Sequence, residues 1–383
     1  MYFRIILIVS LCWAQVSWSQ STKKQPFQSD TRQINVEINK NVELLGFAYF
    51  LGYEGPESET NLNYPARDKA RYAYGLMVYQ DYKSFANSKH LAVAMGFAEK
   101  LWLDYLINLL LQLDDFPQAQ LKDSLDQKYY SRFSSTGDSR EARMNASAFV
   151  NAMNQLYDEV NFATYLNQYQ RYYTNALQQL NTGLPGPLLL GALENFYQGQ
   201  FASYSMIPSL LIPPGMGFGL THRITNQAHS FHVFGALDIP TITEGSDLDM
   251  GFSNKKHLEE LSTHEFGHPF VNPVIDHLPL EVFISTQTLF DPIQSVMAKQ
   301  GYSTWKSCLS EHFVRAGEIM IAQNLGHRDD ASRLKTHYIQ DRHFIYLPII
   351  LQQLEDYKTK RSYQYNEAVE RAMKKLQQRV TAK

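Results

Sequence analysis

The sequence predicts an α+β fold that is mainly α-helical: a helical N-terminal region, a small antiparallel sheet, then further helices. Three observations carry this expectation. Apolar residues recur at helical spacing over most of Ala66 to Leu180. Between Phe201 and Leu237 that period gives way to short aromatic and β-branched runs, separated by Pro213-Pro214-Gly215 and by Asn226. Helical spacing then returns and persists to Val380. At 383 residues the chain can bury a large core, as two domains or one large one.

Taken in order, residues 1–19 read as a cleavable signal peptide. Arg4 supplies a positive start, and Ile5 to Val9 with Leu11 to Trp13 form an apolar run too short to cross a bilayer. The small residues Ser17 and Ser19 stand where a signal peptidase cuts, which makes Gln20 the new N-terminus. Cys12 offers a lipoprotein alternative, which bulky Leu11 before it disfavours. Residues 20–33 are polar and read as a flexible leader. Ile34, Val36 and Ile38 alternate with polar residues as a short strand, and Val42 to Gly52 reads as a helix closed by its glycine. A loop is expected from Gly55 to Tyr64.

Leu91 to Leu110 forms one strongly apolar helix or helix pair, and Ser134 to Ser139 a turn. Met144 to Leu180 reads as one long or two shorter amphipathic helices; the glycosylation pattern Asn145-Ala146-Ser147 falls inside this stretch and carries little weight. After a break at Gly183 to Pro187, Leu188 to Tyr197 resumes a helix, so the mainly helical N-terminal region spans 34–200. In the second region, 201–383, three strands fall within Phe201–Leu211, Met216–Arg223 and His229–Leu237. Ser253 or Asn254 caps the next helix, which Pro269 is expected to stop or kink, because the residue before a proline is pushed out of the α region. Ser303 caps a helix over Thr304–Leu325, and Ala331–Val380 reads as two helices separated near Pro348.

Composition narrows the function. A net charge of −3 without a dense basic block argues against a nucleic-acid partner. After the signal, no stretch approaches the about 18 apolar residues of a transmembrane helix. Removal of Cys12 leaves only Cys308, so the mature chain has no intrachain disulfide and relies on its packed core. The expected location is therefore secreted or periplasmic. The 24 tyrosines and 22 phenylalanines read as an aromatic-rich helical core in preference to peptide or glycan grooves.

The chemistry sits at Thr263-His264-Glu265-Phe266-Gly267-His268-Pro269. On a helix, His264 and His268 lie one turn apart on one face and can grip a single Zn²⁺, while Glu265 can reach a water beside it. Catalytic zinc needs a third protein ligand, and the compact spacing that takes a histidine just downstream is excluded by Val271 and Val274. Glu311 qualifies, in the middle of the later helix among Cys308, Val314 and Ala316. Its rival reading is an ordinary ion pair with Arg315, one turn on. His312, Glu318 and Asp276 are lesser ligand candidates, and His257 reads as a solvated helix residue. Gly267 costs helix stability of about 1 kcal/mol, which suggests close approach by another group.

A helix with His-Glu-x-x-His, a glutamate from a later helix and a sheet just upstream resemble the gluzincin zinc metallopeptidases, the thermolysin-like and related enzymes. The longer string His264 to Pro273 also resembles that of an uncharacterised family of secreted bacterial proteins assigned to that group by its motif. The gluzincin resemblance covers roughly Phe201 to Gly326. It implies a zincin-like core with Zn²⁺ held by His264, His268 and Glu311, and Glu265 as general base. Two departures stand out: thermolysin-like enzymes carry a histidine-orienting aspartate where this chain has Arg315, and Pro269 interrupts a helix that usually continues.

The function expected is hydrolysis of protein or peptide substrates by a secreted zinc metallopeptidase. The alternatives are a catalytically inactive zincin-like protein that binds peptide or glycan, and an aminopeptidase with Glu194 or Asp238 holding the substrate amine. Tyr302, Tyr338, His337, His343 and Tyr346 are candidate donors to the oxyanion. The strand ending His232-Val233-Phe234-Gly235-Ala236 lies where related enzymes keep the edge strand that pairs with substrate, and an ordinary sheet strand is the equal alternative. Gly191-Ala192-Leu193-Glu194-Asn195, similar to an aminopeptidase motif, reads as coincidence.

Overall fold

The computed structural model describes residues 33–224, 226–242, 247–360 and 363–381. The signal peptide and all but the last residue of the leader lie outside the described residues. The chain is α+β and mainly helical. After strand β1 (Asn35–Val36), Asn39 caps helix α1 (Lys40–Tyr49) by accepting from the Val42 N–H at 3.0 Å. The helix does not end at Gly52. It continues through a π turn at Phe50–Glu54 into α2 (Gly55–Thr60), so more than half of the expected loop is helical. Gly52 serves packing instead, since a Cβ there would stand 2.8 Å from Met95.

Helices α3 (Ala66–Arg71), α4 (Ala73–Tyr82), α5 (Lys89–Ala98) and α6 (Leu103–Leu110) follow, so the apolar stretch is a helix pair. Next come α7 (Ser139–Glu159), α8 (Phe162–Gln168), α9 (Gln170–Gly183) and α10 (Leu188–Tyr197). Aromatic rings fill the space between these helices: Phe47, Tyr165 and Phe162 pack on one another, all fully buried. Asn145 is spent on the Phe133 carbonyl at 2.9 Å.

Strands β2 (Tyr204–Pro208), β3 (Gly217–Ile224) and β4 (Gln227–Phe234) join β1 in the order β1-β2-β4-β3. This sheet is mixed, not antiparallel as expected: β1, β2 and β4 run parallel, and only the β3–β4 hairpin is antiparallel. A parallel neighbour requires a long crossover, and the helices α1 to α10 supply it between β1 and β2. Strand β1 thus ties the N-terminal region into the sheet of the second region, and one buried core runs across position 200. The strand ending at Phe234 is central, which corrects the edge-strand reading in favour of the ordinary sheet strand; β1 and β3 are the edges. A small antiparallel pair, β5 (Thr241–Ile242) and β6 (Leu248–Asp249), lies beyond.

Helix α11 (Lys255–Asp276), capped by Asn254, carries the motif. It runs on through Pro269 and Pro273, against the expected stop. Proline removes the N–H that would bond the carbonyl four residues back, here that of Glu265. That carbonyl lies against β3, so close that a Cβ on Gly219 would stand 1.8 Å from it. The stretch of α11 that carries the proline therefore packs directly on the edge strand.

Helices α12 (Leu280–Thr286) and α13 (Gln294–Ala298) lead to α14 (Trp305–Asn324), capped by Thr304 instead of Ser303. The C-terminal stretch holds three helices, α15 (Arg328–Thr336), α16 (Leu347–Lys360) and α17 (Tyr365–Thr381), with a π turn at His337–Asp341. Pro348 lies in the first turn of α16, where a missing N–H costs nothing, so it starts a helix and does not separate a pair as expected. Among the described residues no helix is long and apolar enough to cross a membrane.

Candidate metal centre

Helices α11 and α14 lie side by side, held at close range by Tyr197 of α10. A Cβ on Gly267 would come 3.1 Å from the Tyr197 hydroxyl, and one on Gly317 2.1 Å, so the two glycines make room for it. Tyr197 also stacks on Phe270 of α11, with centroids 4.8 Å apart and planes 9° apart. The glycine inside the motif therefore does admit a neighbouring group.

This packing brings His264, His268 and Glu311 together, with one potential ligand atom from each within 4.8 Å of the others. The two Nε2 atoms stand 3.2 Å apart. Glu311 Oε1 is 3.3 Å from His268 Nε2, and Oε2 is 3.6 Å from His264 Nε2. A tetrahedral ion with bonds of about 2.0–2.1 Å separates its ligand atoms by about 3.3–3.4 Å. Two imidazole nitrogens facing each other at this range repel unless a proton or cation lies between them. Glu311 Oε2, buried, accepts no hydrogen bond. The residues therefore fit a divalent ion with mixed nitrogen and oxygen ligands.

The surroundings supply the charge. Burial alone would push Glu311 up, but His264, His268 and Arg315 outweigh it and hold the carboxyl well below its usual range. Burial would lower His268, yet the Glu311 carboxylate raises it to about 9. Arg315 NH2 lies 3.2 Å from Glu311 Oε2, so the expected rival ion pair forms alongside the triad and does not displace it. Its guanidinium stacks over Tyr338 at 4.6 Å and Phe344 at 4.8 Å.

Glu318, two turns after Glu311, faces His264. Its Oε1 accepts from His264 Nδ1 at 2.5 Å, which turns Nε2 toward the triad, and its Oε2 accepts from the Tyr338 hydroxyl. Asn272 Oδ1 stands 3.4 Å from His268 Nδ1. Glu318, by sequence a lesser ligand candidate, hydrogen-bonds His264 instead. The signal for it is present in the chain, since positions 311 and 318 share a helix face.

Glu265 is 5 % exposed, against the edge strand. It accepts from the Gly219 N–H, and burial raises its pKa above the ordinary carboxylate value despite the two histidines. A Cβ on Gly217 would stand 2.7 Å from its Oε1, so the two strand glycines let β3 lie directly on this carboxylate.

The remaining candidates divide. His312 is fully buried, with Nδ1 on the Cys308 carbonyl at 2.8 Å, and Asp276 pairs with Lys306 at the surface; neither joins the triad. A cleft of about 770 Å³ opens over the triad, walled by β3 and by Trp102 at the start of α6. Tyr302, Tyr338, His337 and His257 line it, whereas Tyr346, which donates to the Leu289 carbonyl, and His343 do not. Burial, with Glu311 adding to it, raises the Tyr302 hydroxyl to about 12, and Arg315 donates to it at 3.2 Å. Glu194 and Asp238 are also absent from the lining; Glu194 is buried and accepts from Tyr204 at 3.1 Å.

Fold and site together define a mainly helical α+β protein whose His-Glu-x-x-His helix and a later glutamate form a centre able to hold a metal ion. Residues 106–370 match the family described as Domain of unknown function (DUF4932), and the chain belongs to that family. Neither the curated proteins nor the solved structures contain a match.

Proposed function

We propose that the protein is a zinc-dependent peptidase of zincin-like design, acting on protein or peptide chains laid in the cleft. The observation that carries this reading is the convergence of His264, His268 and Glu311 at zinc-ligand spacings beside buried Glu265. When bound there, zinc supplies Lewis acidity that polarises a carbonyl and acidifies water. Glu265 takes the proton of the attacking water and passes it to the leaving amine, and its raised pKa suits both steps. Glu318 keeps His264 turned to the site, and Gly219 orients Glu265 through its N–H. Tyr302 or Tyr338 at the cleft wall offers a hydroxyl to the developing oxyanion. The outer edge of β3 offers backbone groups to an extended substrate.

The test pairs metal analysis with one substitution. The purified chain is expected to carry one zinc and to cleave an unfolded protein substrate. Glu265→Gln should keep the zinc and lose roughly 10²–10⁴-fold in kcat, the usual share of general acid–base catalysis. Absence of zinc overturns the reading. Zinc with Glu265→Gln indistinguishable from wild type replaces it with a non-catalytic peptide- or glycan-binding protein. Export to the periplasm or the exterior rests on residues 1–19, and N-terminal sequencing of protein recovered outside the cytoplasm should begin at Gln20.

A further inference from the structure

Three arginines line the cleft, and two of them face acids: Arg315 faces Glu311 and Glu318, and Arg333 faces Glu260 and Asp330. Arg342 is the exception: it lines the cleft, and no carboxylate among the described residues lies within ion-pair distance of it. Its Nε donates to Gln300 Oε1 at 2.5 Å, and Gln300 Nε2 donates back to the Arg342 carbonyl at 3.0 Å. This clamp spends one guanidinium N–H of five and leaves the terminal fork, whose geometry matches a carboxylate.

The backbone is shaped to hold it there. The Arg342 N–H closes the π turn on the His337 carbonyl at 3.1 Å. His343 follows at φ 59°, a left-handed conformation costly for a residue with a side chain, and the Phe344 N–H returns to the Tyr338 carbonyl at 2.9 Å. Arg342 also acts on Tyr302, where it opposes the effect of burial. A half-buried guanidinium with no counter-ion is unfavourable, and an anionic group arriving in the cleft would relieve it more strongly than in open water.

We propose that Arg342 is an anchor for a substrate carboxylate, so that the favoured substrates carry a free C-terminus or an Asp or Glu side chain close to the bond cleaved. This rests on the peptidase reading. One blocked peptide sequence in four forms tests it: free C-terminal acid, C-terminal amide, amide with an internal Glu, and amide with Gln in its place. For the carboxylate forms, Arg342→Gln should raise KM about 10- to 100-fold, the effect of one charge-assisted hydrogen bond. KM for the neutral forms should stay unchanged. The form that responds identifies the source as terminus or side chain. Equal effects on charged and neutral forms, or none, overturn the proposal. If no form is cleaved, the peptidase reading has failed separately, and binding decides. Calorimetry of zinc-loaded Glu265→Gln protein should then favour the carboxylate forms at least tenfold, lost on adding Arg342→Gln, and no preference overturns the proposal.

Discussion

Two of the carboxylates buried among the described residues sit in surroundings that send them in opposite directions. Glu311 in α14 faces two imidazoles and a guanidinium, which hold it ionised below its usual range. Glu43 in α1 faces only hydroxyl and backbone donors: Tyr173 at 2.7 Å, then Tyr165 and Tyr74 in a chain with spacings of 2.9 and 3.1 Å. Burial therefore dominates, and Glu43 rises to about 7 despite help from Ser209, Tyr173 and Leu210. Hydrogen bonds alone leave a buried acid holding its proton; facing cations make it an anion ready to ligate a metal. The N-terminal region holds its acid among hydroxyls, and the second region holds its own among cations.

The largest expected effect breaks the charged side of this contrast. Glu311→Gln should abolish zinc binding and leave buried Arg315 without its nearest counter-charge, at a cost of about 3–5 kcal/mol. Metal analysis and urea unfolding read the two consequences. A variant as stable as wild type, with zinc retained, would show that the triad is incidental.

Glu43→Gln should act with the opposite sign. The folded state keeps a proton that the unfolded chain releases near its ordinary value of 4.5, so stability is full below that pH and falls as pH rises through about 7. The wild-type protein should lose about 3 kcal/mol over that window, and the variant should lose much less of it. Unfolding free energies at pH 5 and pH 8 check this, and parallel profiles for the two proteins would refute it.

Glu318→Gln sharpens the comparison from inside the centre. Loss of the partner that orients His264 should weaken zinc about 10- to 100-fold, measured by competition with a chelator. The smallest effect belongs to the hydroxyl chain. Tyr74→Phe removes its last link, and thermal unfolding should report a loss of about 1 kcal/mol with zinc affinity unchanged.

Much of the site is legible in the chain because its elements are local. His264 and His268 share a face by helical spacing, and the surroundings of Glu311 mark it as an inward carboxylate. Glu318 is visible as an acid near the site but not in its actual role, because which of two acids reaches the metal side of His264 depends on how α11 lies against α14. Gly219 and the edge position of β3 escape a sequence reading for the same reason: strand order is a matter of non-local pairing. Pro269 does not stop its helix, because the local preference of the residue before proline is outweighed by the packing of α11 on β3 and α14.

The sequence by itself determined the helical and strand-rich regions and the histidine pair with its glutamate. Each of these depends on neighbours a few residues away, at about 3.6 residues per helical turn. Only the tertiary structure decided the mixed sheet, the partner of His264, the burial of Glu265 and the cation left unmatched at Arg342. Those depend on distances between segments far apart in the chain, which side-chain packing sets, as Tyr197 does where it meets Gly267 and Gly317.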